Sequence, residues 1–315
     1  MEGYHHLWGA HRLFGCSSAR HLVETLTMDF LLHVMTISAI FGILALGLNI
    51  IVGNTGLISV AHAGFFGIGA YAAAITMTLY HAGFTTALFC GIVVAGVTAL
   101  LTGLLLSGLR GDYFVLGTLG FNAIVYGVML NLDSLTRGPL GIPGIPRPAL
   151  FGMTLLQPFP YFLFVLFFLV LISLVFSYVT RMPFGRVLKA IREDEEALRV
   201  FGYRVLRFKL AAFVLAAMIA AVAGALYATY IRFVDPSAFV VLVSVNVLVM
   251  IILGGLATLR GSIAGAVMFI GLYESVRFLG FSPDTAGQMR EAVVGLMLLL
   301  LMLFRPRGLF GEFKL

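Results

Sequence analysis

From Tyr161 to Val179 the chain runs nineteen residues without a charge, close to the roughly 20 that a helix needs to cross the hydrocarbon core of a bilayer. In lipid every backbone N–H and C=O must be satisfied within the chain, which leaves only helices and closed barrels. This run and Leu296–Phe304 lack the alternation of a barrel strand, so they read as helix. Further apolar runs fall at about 30–52, 56–80, 85–108, 113–132, 210–232, 238–259 and 262–281. Glycines leave 56–80 open to a break or a re-entrant turn, so about 8–10 transmembrane helices are expected. Only 11% of residues are charged and 61% are hydrophobic, against about 25% charged in soluble domains. The expected class is all-α, a polytopic helical membrane protein.

Residues 1–28 are weakly patterned and are expected to be a leader, with Met28 a plausible alternative start. They lack the apolar core and small-residue cleavage site of a signal peptide. His5, His6, His11 and His21 could mark a metal site, but a disordered leader is the favoured reading and no metal is assigned. Residues 29–311 read as a single transmembrane domain and 312–315 as a cytoplasmic tail. Cys16 and Cys90 are too few and too far apart for a disulfide framework.

Charge is concentrated instead. Between Arg181 and Lys209 lie twelve of the chain's 34 charged side chains, eight basic and the four acids Glu193, Asp194, Glu195 and Glu196. The net charge of +6 is not a nucleic-acid signal, because the basic residues cluster at the ends of apolar runs. Basic loops stay cytoplasmic, which places loop 181–209 inside, with Arg110, Arg260, Arg305, Arg307 and Lys314 on the same side and loop 133–159 outside. That outer loop, rich in proline and glycine, reads either as a plain connector or as a contact for a solute-delivering protein.

Within the island, Pro183 suits a first helical turn. Phe184, Val187, Leu188 and Ile191 follow at helical spacing, with Arg186, Lys189 and Arg192 off that face. The acidic run favours a second helix start near Asp194, with Leu198 and Phe201 on its apolar side, and Gly202 is placed to end it. Two short amphipathic helices outside the membrane are expected. A basic loop held to lipid headgroups would explain the arginines but not the acids or the caps, so docking of a soluble partner is the stronger reading.

Glu196-Ala197 followed by Gly202 resembles the EAA loop of ABC importer permeases. More narrowly, FGRVLKAIREDEEA (184–197), ALGLNIIVGNTGLISVAHAGFFGIGAYAAA (45–74), RGDYFVLGTL (110–119), LTRGPLGIPGIPRP (135–148), MIILGGLATLRGSIAGA (250–266) and LFRPRGLFG (303–311) resemble the LivM-type permeases of branched-chain amino acid uptake systems, in the same order. The resemblance implies an ABC importer for branched-chain amino acids or related small solutes such as urea and amides, in the bacterial inner membrane. A second, LivH-like permease would complete the pathway, two cytoplasmic ATPases would bind ATP and Mg, and a periplasmic binding protein would deliver solute. It also implies that loop 181–209 is a coupling helix for the ATPases, with Phe184, Gly185, Arg186, Ala190, Arg192, Glu193, Asp194, Glu195, Glu196, Ala197 and Gly202 as coupling residues. In such systems the binding protein largely selects the solute.

The residues agree with that division of labour. None of the three lysines, 189, 209 and 314, follows a glycine, so there is no Walker A loop, and there is no HExxH or GxSxG motif. No cofactor and no enzymatic activity are expected in this chain. Pathway candidates are the polar and glycine residues of apolar runs: Asn49, Asn54, Gly56, Ser59, His62, Gly67 and Asn246. Tight packing is the competing reading for the glycines, and an inter-helix hydrogen bond for His62. The family pattern commonly carries glutamate where Asn246 stands. An ion-gradient-driven secondary transporter is the alternative, but Glu274 is nearly the only carboxylate well inside a run, and its spacing to Arg277 favours a local pair. A scaffold or lipid-handling enzyme has no catalytic constellation to support it.

Overall fold

The computed structural model describes the backbone of residues 10–109, 111–150, 153–276, 283–304 and 308–310, and the side chains of 28–109, 111–149, 155–276, 287–299, 303 and 308–310. The readings placed on His5, His6, His11, His21, Cys16, Arg110, Arg277, Arg305, Arg307 and Lys314 lie outside the described side chains.

The fold is helical. In chain order come α1 (Ala10–Thr55), α2 (His62–Thr78), α3 (Phe84–Leu105), α4 (Asp112–Asn131), α5 (Asp133–Thr136), α6 (Pro158–Arg181), α7 (Pro183–Glu193), α8 (Glu195–Val200), α9 (Val205–Ile231), α10 (Val241–Gly254), α11 (Leu259–Ser275) and α12 (Pro283–Phe304). The chain is a multi-pass membrane protein: Met28–Thr55, Phe84–Gly108, Asp112–Asn131, Pro158–Arg181 and Val205–Ile231 are each long and apolar enough to cross a bilayer. α1 and α9 are the innermost of these, whereas most of α3, α4 and α6 faces outward.

Small residues explain the centre. α2 carries Gly64, Gly67, Gly69, Ala70, Ala73 and Ala74, all buried. It lies along α9, whose Ala217, Ala220, Ala221 and Gly224 are buried in turn. Without a hydrophobic force between helices in lipid, close backbone approach is what holds them. Tyr161 ties α6 to the same helix, its hydroxyl donating to the Leu226 carbonyl at 2.7 Å.

Two of the expected apolar runs form shorter helices. The runs at 238–259 and 262–281 become α10 and α11, which turn by 119° across a break at residues 255–258. α10 has 14 residues and α11 has 17, at or below the short end of the length that crosses a bilayer. Five helices among the described residues pass as both long and apolar enough to cross a bilayer, or six with this pair counted as one span, and α12 adds a further helix of 22 residues. The run at 56–80 is also shortened, because residues 56–61 are not helical and α2 starts only at His62.

The proline- and glycine-rich loop forms turns and short strands, as its composition predicts. β1 (Ile142–Pro143) pairs with β4 (Phe233–Val234) just after α9, while β2 (Ala149–Leu150) pairs with β3 (Met153–Thr154). This loop therefore sits at the end of α9 opposite the α7–α8 island. α1 is helical from Ala10, through residues in which the sequence shows little pattern.

Candidate functional site: an amphipathic helix pair beneath a polar interior

Local chemistry sets the island. Met182 is extended ahead of Pro183, as a residue before proline prefers, so α6 stops and α7 starts at a sharp corner. Gly185 lies on the last turn of α6, where a side chain would meet the Val179 and Thr180 carbonyls at 2.5 Å. Gly185, Leu188 and Ile191 are the buried side of α7, and Phe184 stacks on Phe208 of α9. Arg186 and Glu193 are exposed, Ala190 half-buried.

α8 is capped at both ends. The Asp194 carboxylate accepts from the Ala197 N–H at 2.9 Å, an N-cap bond to the third helical residue. At the other end Gly202 has φ +83°, and the N–H groups of Gly202 and Tyr203 donate to the Arg199 and Leu198 carbonyls. That is a Schellman termination, which favours glycine at this place. Glu195 bridges Arg199 and Lys209. Burial works against its charge, but the hydrogen bonds and charges of Lys209 and Arg199 outweigh this and hold its carboxyl below the usual Glu range. Glu196 is exposed and Ala197 half-buried. Val200 and Phe201 are 87% and 78% exposed, an apolar tip on a charged helix.

Arg192 leaves the island. Its Nη1 donates to the Gly53 carbonyl of α1 at 2.5 Å, and its stem lies over Gly56, whose added Cβ would sit 3.1 Å from Arg192 Cγ. The Gly53 carbonyl is among the last four of α1, which lack a following helical N–H, and a cation is favoured at that end of a helix. Burial pulls the guanidinium below its ordinary pKa while Glu193 pushes it up. The group nonetheless stays charged.

Above it lies the polar interior. Asn49 is fully buried and spends its amide on the α10–α11 break: Nδ2 donates to the Thr258 carbonyl (3.2 Å) and Ser262 Oγ (2.6 Å), and Oδ1 accepts from the Ala257 N–H (2.9 Å). Asn54 Nδ2 donates to the Asn49 carbonyl at 3.2 Å. Ser59 Oγ accepts from the Ala61 N–H at 3.4 Å. His62 is buried beside Gly47, eight residues before the end of α1 or about 12 Å along it. α2 therefore begins inside the bundle, and hydroxyls from other helices serve its start. Ser244 of α10 accepts from the Ala63 N–H (2.7 Å) and Thr118 of α4 from the Val60 N–H (3.1 Å). Gly67 is closed by Met129 and Phe239, which favours packing over lining a path. Asn246 stands apart from this group, half-buried on α10. Glu274 is half-buried near the end of α11.

Asn122 of α4 was missed in the sequence. It is 1% exposed, packs against Gly64 at the first turn of α2, and neither polar atom of its amide has a hydrogen-bond partner. His62 Nε2 and Asn54 Oδ1 lack partners too. Buried polar groups are nearly always satisfied, so the Asn122 amide is exceptional. The signal available was an asparagine in the middle of the run 113–132, where a polar side chain marks a functional candidate in a membrane helix.

Residues 30–302 match the family described as branched-chain amino acid transport system / permease component. The chain belongs to that family. It is 34% identical over 299 residues to the high-affinity branched-chain amino acid transport system permease protein LivM of Escherichia coli K12, covering 88% of this chain and 69% of that protein. The similarity to the permease protein BraD of Pseudomonas aeruginosa is 25% over 302 residues, covering 90% and 95%. The autoinducer 2 import system permease protein LsrC of Escherichia coli is 28% identical over 233 residues, covering 68% and 64%. No solved structure matches. As a member of this permease family the chain is a transport component, and relatives with such different cargo share its scaffold.

Proposed function

We propose that this chain is the permease subunit of an ABC importer for branched-chain amino acids or related small solutes such as urea and amides. It would form half of the pathway in the bacterial inner membrane, opposite a second, LivH-like permease. Two cytoplasmic ATPases would bind ATP and Mg, and a periplasmic binding protein would meet the loop at 133–157. The chain itself carries out no chemistry in this reading.

The observation that carries the coupling role is the exposed tip Val200-Phe201 on α8. Two large apolar side chains in a strongly charged, doubly capped helix pair have no structural use in the isolated chain, and apolar anchors ringed by charge are what a protein partner buries. The face α7–α8 is therefore read as seated on an ATPase subunit at the cytoplasmic side. In support, Arg260 and the segment 308–310 lie at the same end of the bundle: the Leu309 and Phe310 N–H groups donate to the Leu253 and Gly254 carbonyls beside the α10–α11 break. The expected inside position of the C-terminus is consistent with this. Near α2, Asn122, whose amide has no partner, is the best candidate for a group that meets polar solute or water, followed by buried His62 and Asn54.

The test is the assembled complex. Phe201→Asp and Val200→Asp should release the ATPase subunits on co-purification and abolish uptake, with the thermal midpoint of the permease unchanged. Uptake that persists without ATP and collapses with the ion gradient would sink the ABC reading. The solute is read by purifying the cognate binding protein and finding which amino acid or amide raises its melting temperature.

A further inference from the structure

We infer that Arg192 is a positioning residue which transmits movement of α7 to the α10–α11 turn through Gly53 and Asn49 of α1. The inference rests on the reading of α7–α8 as the ATPase-coupling element and adds the route by which that element acts on the helices.

Three contacts stand in series. Arg192 Nη1 holds the Gly53 carbonyl at 2.5 Å. Gly53 in turn lets the α10–α11 turn lie directly on α1, since a Cβ there would come within 2.6 Å of the Ala257 nitrogen and 2.0 Å of Asn49 Oδ1. Asn49, one helical turn earlier on the same face of α1, then grips Ala257, Thr258 and Ser262. No link in the series is a loose apolar contact. A hydrogen bond weakens steeply once its distance or angle is lost, so a shift of α7 by an ångström or two must either pull the end of α1 with it or let Gly53 go.

The far end of the series is a sharp corner between two short helices. α10 and α11 are short, meet at 119°, and are joined by only four residues, with Gly255 at φ +120° and Ala257 at φ +61°. α10 also supplies Ser244, which serves the start of α2 next to Asn122 and His62. Movement of the turn thus reaches the polar interior through α10. Arg192 was read from the sequence as part of the docking surface. Its guanidinium faces the opposite way, toward α1, so it fits transmission better than docking.

The experiment uses the full complex in liposomes and measures three quantities together: ATPase co-purification, ATP hydrolysis, and solute moved per ATP. Arg192→Met keeps the stem over Gly56 and removes the donor. It should retain the ATPase at the wild-type ratio and hydrolyse ATP, while solute moved per ATP falls roughly tenfold, the scale of one lost charge-assisted hydrogen bond. Arg192→Lys, which keeps one donor, should recover much of that ratio. Ser262→Ala, at a fully buried side chain, takes one bond from the far end and should lower the same ratio with co-purification unchanged. An unchanged ratio in Arg192→Met or in Ser262→Ala overturns the inference, as does loss of the ATPase from Arg192→Met, which would make Arg192 a docking residue. Phe201→Asp, measured alongside, reads the parent proposal: if it releases the ATPase while Arg192→Met stays coupled, only this inference falls. If it leaves the ATPase bound and transport intact, the docking reading falls and takes the inference with it.

Discussion

Gly224 of α9 presses its backbone against the Phe66 carbonyl of α2, so closely that an added Cβ would lie 2.0 Å from that oxygen. The contact is backbone on backbone, and no side-chain rotation can relieve it. Gly224→Ala should therefore destabilise the bundle by about 1–3 kcal/mol, the usual cost of overpacking. Gly127→Ala on α4 is the control, since nothing lies within 4 Å of its added methyl and alanine favours helix. Thermal midpoints in one detergent should drop for the first and hold or rise for the second.

Asn49 predicts a graded series at the α10–α11 break. Asn49→Ala leaves the buried Ala257 N–H and the Ser262 hydroxyl short of partners and should cost about 1–3 kcal/mol. Ser262→Ala removes one of the same bonds and should cost less. Equal midpoints for Asn49→Ala and wild type would show that the turn is held by packing alone.

Glu195 gives the pH dependence. Its carboxyl is held below its ordinary range by Lys209 and Arg199 against the effect of burial. A depressed acid pKa adds stability that is fully present above the unfolded-state value of about 4.3 and is lost as pH falls through the lower folded-state value. The stability difference between wild type and Glu195→Gln should be constant near neutral pH and shrink only in acid below about pH 4. A difference that shrinks between pH 6 and 8 would point to another group.

Asn122→Leu separates fold from function. Its amide has no partner, so leucine removes an unmet desolvation cost and should leave the thermal midpoint unchanged or raise it. Uptake should fall all the same if the amide meets solute or water in the pathway. A stable variant with full uptake would remove Asn122 from the list of pathway residues.

What was legible in the chain was mostly local. Pro183, Asp194 and Gly202 announce α7 and α8 because caps depend on a residue and its neighbours within one turn. The stiff loop at 133–152 was legible for the same reason. The α10–α11 break was not: the residues from 238 to 281 are apolar enough for two spans, and the turn between them is held by Asn49, some 200 residues earlier in the chain. Spacing could set Arg192 off the apolar face of α7, but not tell that its long stem would reach back past Gly56 to the end of α1. Asn122 carried a signal, an amide in the middle of an apolar run, yet its lack of partners exists only once α2 and α4 are packed.

That this chain lies in a membrane as helices, and that one charged helix pair stands apart from the rest, can be read along the chain alone. Hydropathy and capping decide those things, and both are written in neighbouring residues. Which of the polar residues hold the fold, and which are left unmet, depends on how distant helices pack. Asn49 became a clasp, Arg192 turned inward, and Asn122 was left without a partner, because each outcome depends on which groups of distant helices come within hydrogen-bond reach.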